Sequence, residues 1–98
     1  MIKVIQGDTL NLTISVEGDN KLIEELYFSC KKLDIVNKLT KVNDTQYIIT
    51  FSSEITQKWM EGNAFYDITA KLKDNQISTV VYYDEMRILK KENTINGN

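Results

Sequence analysis

Two runs of β-branched and aromatic residues, separated by a polar turn, fill the stretch from Gly62 to Arg87. The first run ends at Leu72 and the second begins at Ile77, with Asp74 and Asn75 between them. Such runs on either side of a tight polar cluster predict a β-hairpin, which we call the central hairpin. Because both faces of its second strand carry bulky residues, we expect this strand in the middle of a sheet, where its outer face can also be covered.

Strict alternation of apolar and polar residues makes Thr9 to Glu17 a predicted half-buried strand. A short apolar run from Ile2 to Ile5 precedes it, and Gly7 suits a turn with positive φ between the two. The turn at Gly18–Asn20 ends the strand. Further strands are predicted from about Glu24 onward, at Leu39–Val42 and Gln46–Phe51 as a second hairpin, and at Met86–Lys90, with a turn or strand bend at Asp34–Asn37.

The segment from Ser52 to Glu61 has a helical pattern instead. Ser52 or Ser53 can cap the helix at its N-terminus, and Gly62 can end it in a left-handed conformation. We therefore predict one short helix near residues 53–61, laid across one end of the fold. Trp59 has two interpretations here: it fills the core under this connection, or it is an exposed anchor for a partner.

Seven or eight short strands with turns about every ten residues predict an all-β protein, an antiparallel immunoglobulin-like β-sandwich. "Immunoglobulin-like" describes the architecture only, because the pattern of two cysteines around a tryptophan is absent. The 98 residues suit one domain, predicted over residues 1–90, followed by a flexible polar tail at 91–98.

Composition bears on several classes of function. A formal net charge of −2 gives no electrostatic case for nucleic acid binding. No apolar run approaches the roughly 20 residues of a membrane span, and no secretory signal pattern follows Met1, so we expect neither membrane insertion nor secretion by a signal peptide. The single cysteine, Cys30, lies in an alternating run and is predicted to be a small buried hydrophobe.

No residue pattern indicates catalysis. The chain contains no histidine, so Cys30 has no imidazole to generate a thiolate, and its isolated glycines form no phosphate-binding loop. Asp67, Asp84 and Glu85 could collect a calcium ion if the fold brought them together, but we favour a solvated strand end. We therefore predict a protein that is not an enzyme and has no cofactor or metal site.

The aromatic residues are the more informative candidates for function. Alternation cannot place all nine of them inside so small a core. Exposed aromatic area commonly marks an interface, although cross-strand aromatic pairs shielded by lysine stems would explain the pattern equally well. The candidate interface residues are Trp59, Phe65, Tyr82 and Tyr27.

The order of three motifs suggests a family. Gly-Asp-Thr at Gly7 opens an alternating strand, Asn43-Asp44-Thr45 forms a middle turn, and Gly-x-x-x-Tyr-Asp-Ile runs from Gly62 to Ile68 before a strand that ends near Arg87. Together they resemble the immunoglobulin-like N-terminal domains of phage baseplate upper proteins and related tail proteins from phages of Gram-positive bacteria.

This resemblance implies a non-enzymatic phage or prophage structural protein, a baseplate or tail accessory module that acts through protein–protein contacts. The expected partners are other protein subunits, either copies of the chain or phage structural proteins, and the expected location is the virion or the host cytoplasm. The alternative is a small phage-encoded inhibitor that binds a host defence protein. A carbohydrate-binding module that uses Trp59 and exposed tyrosines is a third hypothesis.

Overall fold

The computed structural model describes residues 1–16 and 22–92. The predicted turn at Gly18–Asn20 and residues 93–98 of the predicted tail lie outside these ranges. The described elements, in chain order, are β1 (Ile2–Ile5), β2 (Leu10–Ser15), β3 (Ile23–Cys30), β4 (Ile35–Lys38), β5 (Thr40–Asn43), β6 (Gln46–Phe51), α1 (Ser53–Gln57), β7 (Gly62–Leu72) and β8 (Ile77–Leu89).

The strands form two sheets packed as a sandwich, which confirms the predicted fold class. One sheet has five strands in the order β1-β8-β7-β3-β4, and the other has three in the order β2-β6-β5. All of the strand pairs are antiparallel except β1 with β8, which run parallel. The predicted central hairpin is the β7–β8 pair, and its turn contains Asn75 with a positive φ of 67°.

The core lies between the sheets and is built by alternation along the strands. Phe28 of β3 packs edge-on against Phe51 of β6 at 5.4 Å between ring centroids, and it stacks on Tyr66 of β7 at 5.1 Å. Cys30 is buried beside them, as the sequence predicts. The buried residues of the three main core strands are Leu26, Phe28, Cys30, Tyr47, Ile49, Phe51, Ala64, Tyr66, Ile68 and Ala70.

Helix α1 crosses one end of the sandwich and is tied to the turn between β1 and β2. Ser52 is its N-cap and accepts a hydrogen bond from the amide of Ile55. The buried hydroxyl of Thr56 donates to the carbonyl of Asp8 at 2.7 Å and accepts from the amide of Gly7 at 3.1 Å. Gly7 has the predicted positive φ, at 86°, so the side chain of Thr56 fixes the position of the helix on this turn.

Helix α1 is shorter than predicted. Its C-cap is Lys58, and the chain then turns before Gly62, which begins β7 instead of ending the helix. Gly62 does have a positive φ of 133°, so glycine is favoured there for a different reason from the predicted one. In the described ranges, no helix is long and apolar enough to cross a membrane.

Two other predicted segments are corrected. The predicted turn or strand bend at Asp34–Asn37 is a turn only at Asp34, which has a φ of 55° and whose amide donates to the carbonyl of Lys31. The residues from Ile35 onward then pair with β3 as strand β4. Met86–Lys90 is not a separate strand either, since β8 continues without a break to Leu89.

Candidate interaction surface

Strand β8 has a partner on both sides over only part of its length. Strand β1 pairs with it from Met86 to Leu89, whereas β7 pairs with it from Ile77 to Ile88. Within the described residues, no strand covers the other side of β8 before Met86. We call the segment Gln76–Tyr83, on this open side, the hairpin edge. The expectation that this strand lies wholly in the middle of a sheet is wrong for the hairpin edge.

The hairpin edge is uncharged and largely exposed. Its eight residues include no charged side chain, no proline and no glycine. All residues from Ile77 to Val80 are exposed although successive side chains point to opposite faces, so the second sheet does not cover this end of the hairpin. The predicted covered outer face is therefore also wrong here. The exposed large residues are Ile77 (67%), Val80 (43%), Tyr82 (79%) and Tyr83 (61%).

A β-bulge shapes the hairpin edge at its aromatic end. The register of β7 against β8 shifts on both sides of Ile68, and Tyr83 has a φ of 51°. A positive φ is uncommon for a bulky side chain and costs free energy. The carboxylate of Asp67 supports this conformation by accepting a hydrogen bond from the amide of Tyr83 at 2.6 Å. Asp67 therefore holds the bulge in place.

The bulge directs two tyrosines to different positions. Tyr83 lies flat on Phe65, with ring centroids 4.4 Å apart and planes 2° apart. Tyr82 has its ring centroid 6.0 Å from that of Tyr83 and remains the more exposed of the two. The outer face of the hairpin thus carries a small aromatic group made of Phe65, Tyr82 and Tyr83, which can contribute to binding a protein surface.

A buried tyrosine anchors the strand immediately after the bulge. The hydroxyl of Tyr66 donates to the carboxylate of Asp84 at 2.8 Å. Burial, followed by this hydrogen bond, raises the pKa of Tyr66 above its ordinary value. The same hydrogen bond lowers the pKa of Asp84. The hydrogen bond from Tyr66 therefore stabilises the ionised form of Asp84 in the folded state. It also fixes β8 on β7 next to the bulge.

This contact predicts a pH-dependent contribution to stability. The folded-state pKa of Asp84 is below its ordinary value of 3.8, so its contribution is present above that value and disappears as the pH falls through the lowered pKa. We expect Tyr66→Phe to reduce the free energy of unfolding at pH 7 and to reduce it much less below the pKa of Asp84. Urea titrations at both pH values measure this difference, and an equal reduction at both would contradict it.

Tyr27 lies on the same outer face as Phe65 but further across the sheet. It pairs with Thr69 of β7, which in turn pairs with Thr79 of β8, so the three residues form one cross-strand row. The hydroxyl of Tyr27 donates to the carboxylate of Glu25. This hydrogen bond, followed by that from Lys38, lowers the pKa of Glu25.

The structure brings together only part of the predicted interface. Phe65 joins Tyr82 through Tyr83, and Tyr27 lies on the same face across β7. Trp59 lies in the core instead: it is 6% exposed, packs edge-on against Phe51 at 5.1 Å, and its carbonyl accepts a hydrogen bond from the side chain of Gln6. This position agrees with the core interpretation of Trp59.

The edge strands β4 and β5 carry charge, whereas the edge strand β2 contains no charged residue. Strand β4 ends at Lys38, whose ammonium lies 3.2 Å from the carboxylate of Glu25. Strand β5 contains Lys41, which lies 3.7 Å from the carboxylate of Asp44. Lysines and short strands are common means of preventing edge-to-edge pairing. The hairpin edge has neither protection, which distinguishes it from β4 and β5.

Two of the three acidic residues considered for calcium, Asp67 and Asp84, have hydrogen bonds within the fold. Asp67 accepts from the amide of Tyr83, and Asp84 accepts from Tyr66. In residues 1–16 and 22–92, no group of three or more histidine, cysteine, aspartate or glutamate side chains is placed to hold a metal ion. The carboxylates of Asp67 and Asp84 are therefore explained by their structural hydrogen bonds.

The sequence reasoning did not select Ile77, Val80 and Tyr83 for the interface. The signal that could have found them is the uncharged segment between Asn75 and Asp84, which is unusual in a chain with 27% charged residues. Apolar residues on both faces indicate either burial on both sides or exposure at an unprotected edge. Exposure at an unprotected edge is what the structure has, because β1 pairs with β8 only from Met86 to Leu89 and leaves the earlier part of β8 without a neighbour on that side.

No protein-family model matches the chain, and no curated protein sequence matches it either. Its fold is similar to part of an endo-beta-1,4-mannanase from Thermotoga petrophila, with a TM-score of 0.69 and 10% sequence identity over 93% of this chain and 18% of the mannanase. It is also similar to the fibronectin(III)-like modules of CbhA from Clostridium thermocellum, with a TM-score of 0.64 and 12% identity over 94% of this chain and 43% of the other.

These similarities define the class of fold. The chain is a β-sandwich of the fibronectin type III and immunoglobulin-like kind, which agrees with the sheet order and the core described above. It spans less than half the length of either matched chain. At 10–12% identity, the likeness concerns the fold alone, since sandwiches of this architecture have many unrelated functions.

Proposed function

We propose that this protein is a non-enzymatic structural module of a phage or prophage baseplate or tail and acts through protein–protein contacts. The observation that carries the proposal is the hairpin edge, where an uncharged strand and an aromatic group are exposed together. An edge strand offers unpaired backbone groups to another chain, and aromatic side chains supply much of the binding energy of protein interfaces.

One further observation supports this function. The three sequence motifs that resemble baseplate and tail domains fall in the turn before β2, in the β5–β6 turn and in β7, so they coincide with structural features of the sandwich.

Tyr82→Ser tests whether the hairpin edge is a functional surface. Tyr82 is 79% exposed, so we expect the free energy of unfolding to change by no more than about 0.5 kcal/mol. We expect stable association with the partner to be lost or strongly weakened, since exposed tyrosines often dominate an interface. Association is measured by recovery of the tagged protein with phage particles, followed by mass spectrometry.

The matched control is Met60→Ser. Met60 is 74% exposed but lies after helix α1, outside the hairpin edge. This variant should fold and assemble like the unchanged protein. If Tyr82→Ser assembles normally, or if the unchanged protein is absent from particles and binds no tail protein, the proposal is wrong. Recovery of one host protein in stoichiometric amount from a lysate would favour the inhibitor hypothesis instead.

A further inference from the structure

We propose that a cleft beside the outer aromatic group binds an acidic segment of the partner protein through a carboxylate group. The cleft has a volume of about 480 Å³. We call it the lysine cleft, and its lining residues are Lys31, Lys32, Asn63, Ala64, Phe65 and Tyr83. This inference rests on the proposed function and adds the chemistry of the partner to it.

The fold holds the two lysines of the cleft directly after strand β3. They lie in the turn that the amide of Asp34 closes by donating to the carbonyl of Lys31. The ammonium of Lys32 donates to the carbonyl of Asn63 at 2.6 Å. A Cβ atom at Gly62 would lie only 3.2 Å from the same ammonium. The glycine therefore leaves the space in which Lys32 reaches over the start of β7.

Neither ammonium group of the cleft is neutralised by the fold. Lys31 and Lys32 form no ion pair with another residue in the described ranges. The far end of the same sheet differs, because there the carboxylate of Glu25 lies 3.2 Å from the ammonium of Lys38 and 3.9 Å from that of Lys71. The unpaired positive charge of the cleft thus favours a negatively charged ligand.

The carboxylates that are nearest in sequence or strand pairing do not line the cleft. Asp34 lies in the same turn as the lysines, Glu61 precedes β7, and Glu85 of β8 pairs with Phe65. None of these three is among the lining residues. Arg87 pairs with Asn63 and is exposed, so it adds a further positive charge next to the cleft.

The polar groups of the cleft are mostly hydrogen-bond donors. An ammonium group has three donors and no acceptor, and Lys32 uses one of its donors on Asn63. The hydroxyl of Tyr83 has no hydrogen-bond partner among the described residues and can also donate. A ligand that satisfies these groups must supply acceptors and negative charge, and a carboxylate supplies both.

The aromatic wall of the cleft contains a strained residue. Tyr83 has a φ of 51°, and its ring lies flat on that of Phe65. Backbone strain of this kind persists where the surrounding structure fixes it, and it clusters at ligand-binding positions. The two rings make this side of the cleft apolar. A partner segment with an apolar side chain next to its carboxylate therefore fits the cleft better than a carboxylate alone.

The size and charge of the cleft favour a protein segment over a nucleic acid. Single-stranded nucleic acids bind along grooves that neutralise several phosphates, whereas this cleft has two lysines. The formal net charge of −2 also opposes the approach of a polyanion. One or two carboxylates on a protein surface need only the local positive charge of the cleft.

A short acidic peptide tests the class of ligand directly. The probe is a synthetic peptide with a phenylalanine between two glutamates, and the matched probe has glutamines in place of the glutamates. We expect the acidic peptide to shift the NMR amide signals of Lys31, Lys32, Phe65 and Tyr83 and to bind about tenfold more tightly than the glutamine peptide. Lys31→Glu should weaken binding of the acidic peptide by about tenfold or more, because like charges then meet.

Lys73→Glu is the matched control for Lys31→Glu. Lys73 is exposed and follows the opposite end of β7, roughly 30 Å from Asn63 along the strand. This variant should bind the acidic peptide like the unchanged protein, and so should Lys31→Arg, which keeps the charge. Three results would each overturn the inference: no binding of the acidic peptide at the cleft, equal binding of the glutamine peptide, or equal affinities of Lys31→Glu and Lys73→Glu. An oligothymidine strand that shifts the cleft signals at lower concentration than the peptide would overturn it in favour of nucleic acid.

Recovery with phage particles separates this inference from the proposed function. If Lys31→Glu is recovered like the unchanged protein while Tyr82→Ser is not, only the inference about the acidic segment is wrong. If the unchanged protein is absent from particles but binds the acidic peptide through Lys31, the proposed function is wrong and the class of ligand stands.

Discussion

Trp59→Ala should lower the free energy of unfolding by about 3–5 kcal/mol, the range for removing a large aromatic side chain from a core. Trp59 is 6% exposed and packs edge-on against Phe51. It belongs to the buried core cluster next to the connection between α1 and β7. Since small domains are stabilised by about 5–15 kcal/mol in total, this loss is a large part of the stability of the fold.

Guanidinium titration followed by circular dichroism measures this loss, and Met60→Ala is the control. Met60 is the next residue in the chain and 74% exposed, so its truncation should change stability by no more than about 0.5 kcal/mol. A Trp59→Ala protein as stable as the Met60→Ala protein would show that the tryptophan does not fill the core. That result would favour the other interpretation of Trp59, as an exposed anchor for a partner.

Phe28→Ala should also be strongly destabilising, by about 3–5 kcal/mol. Phe28 has no exposed surface and connects the two sheets: it stacks on Tyr66 in one and meets Phe51 edge-on in the other. Its removal leaves a cavity between the sheets and also ends two aromatic contacts, each worth about 0.5–1.5 kcal/mol beyond buried area. Thermal and chemical unfolding experiments measure the loss.

Phe65→Ala is the matched control for Phe28→Ala. Both are phenylalanines on the five-stranded sheet, but Phe65 is 37% exposed and stacks on Tyr83 on the outer face. We expect this variant to lose only about 1 kcal/mol, the value of the aromatic stack. Equal losses in the two variants would mean that the outer aromatic group is as important to the fold as the core, in conflict with its exposure.

Much of the fold follows from local patterns in the sequence. The alternation in Thr9–Glu17 and in β7 predicts which side chains face the core, because the side-chain period of a strand is two residues. The turns at Gly7 and Asn75 were predictable from their residue types and have the positive φ that such turns use. The cap of α1 at Ser52 was also predictable, because serine is a preferred residue at the N-cap of a helix.

The features that expose the hairpin edge depend on contacts between residues that are far apart in the sequence. Whether Ile77–Tyr83 is central or at an edge depends on how far β1 extends along β8, and these strands are more than 70 residues apart in the chain. The bulge at Tyr83 depends on Asp67, a residue of the neighbouring strand. Neither hydrophobic periodicity nor residue propensity contains this information, so the apolar pattern of β8 predicted a covered strand where the structure has an exposed edge.

The parallel pairing of β1 with β8 has a consequence for how the protein is made. Strand β1 finds its partner only in residues Met86–Leu89, which follow the other strands of the sandwich in the chain. Because a long loop must close before this pairing can form, we expect it to be late and slow compared with the β7–β8 hairpin. On the ribosome, Ile2–Ile5 would thus remain unpaired until nearly the whole sandwich has emerged. In a nascent chain arrested before Met86, the segment Ile2–Ile5 should therefore be sensitive to protease, and it should become protected once Leu89 is available.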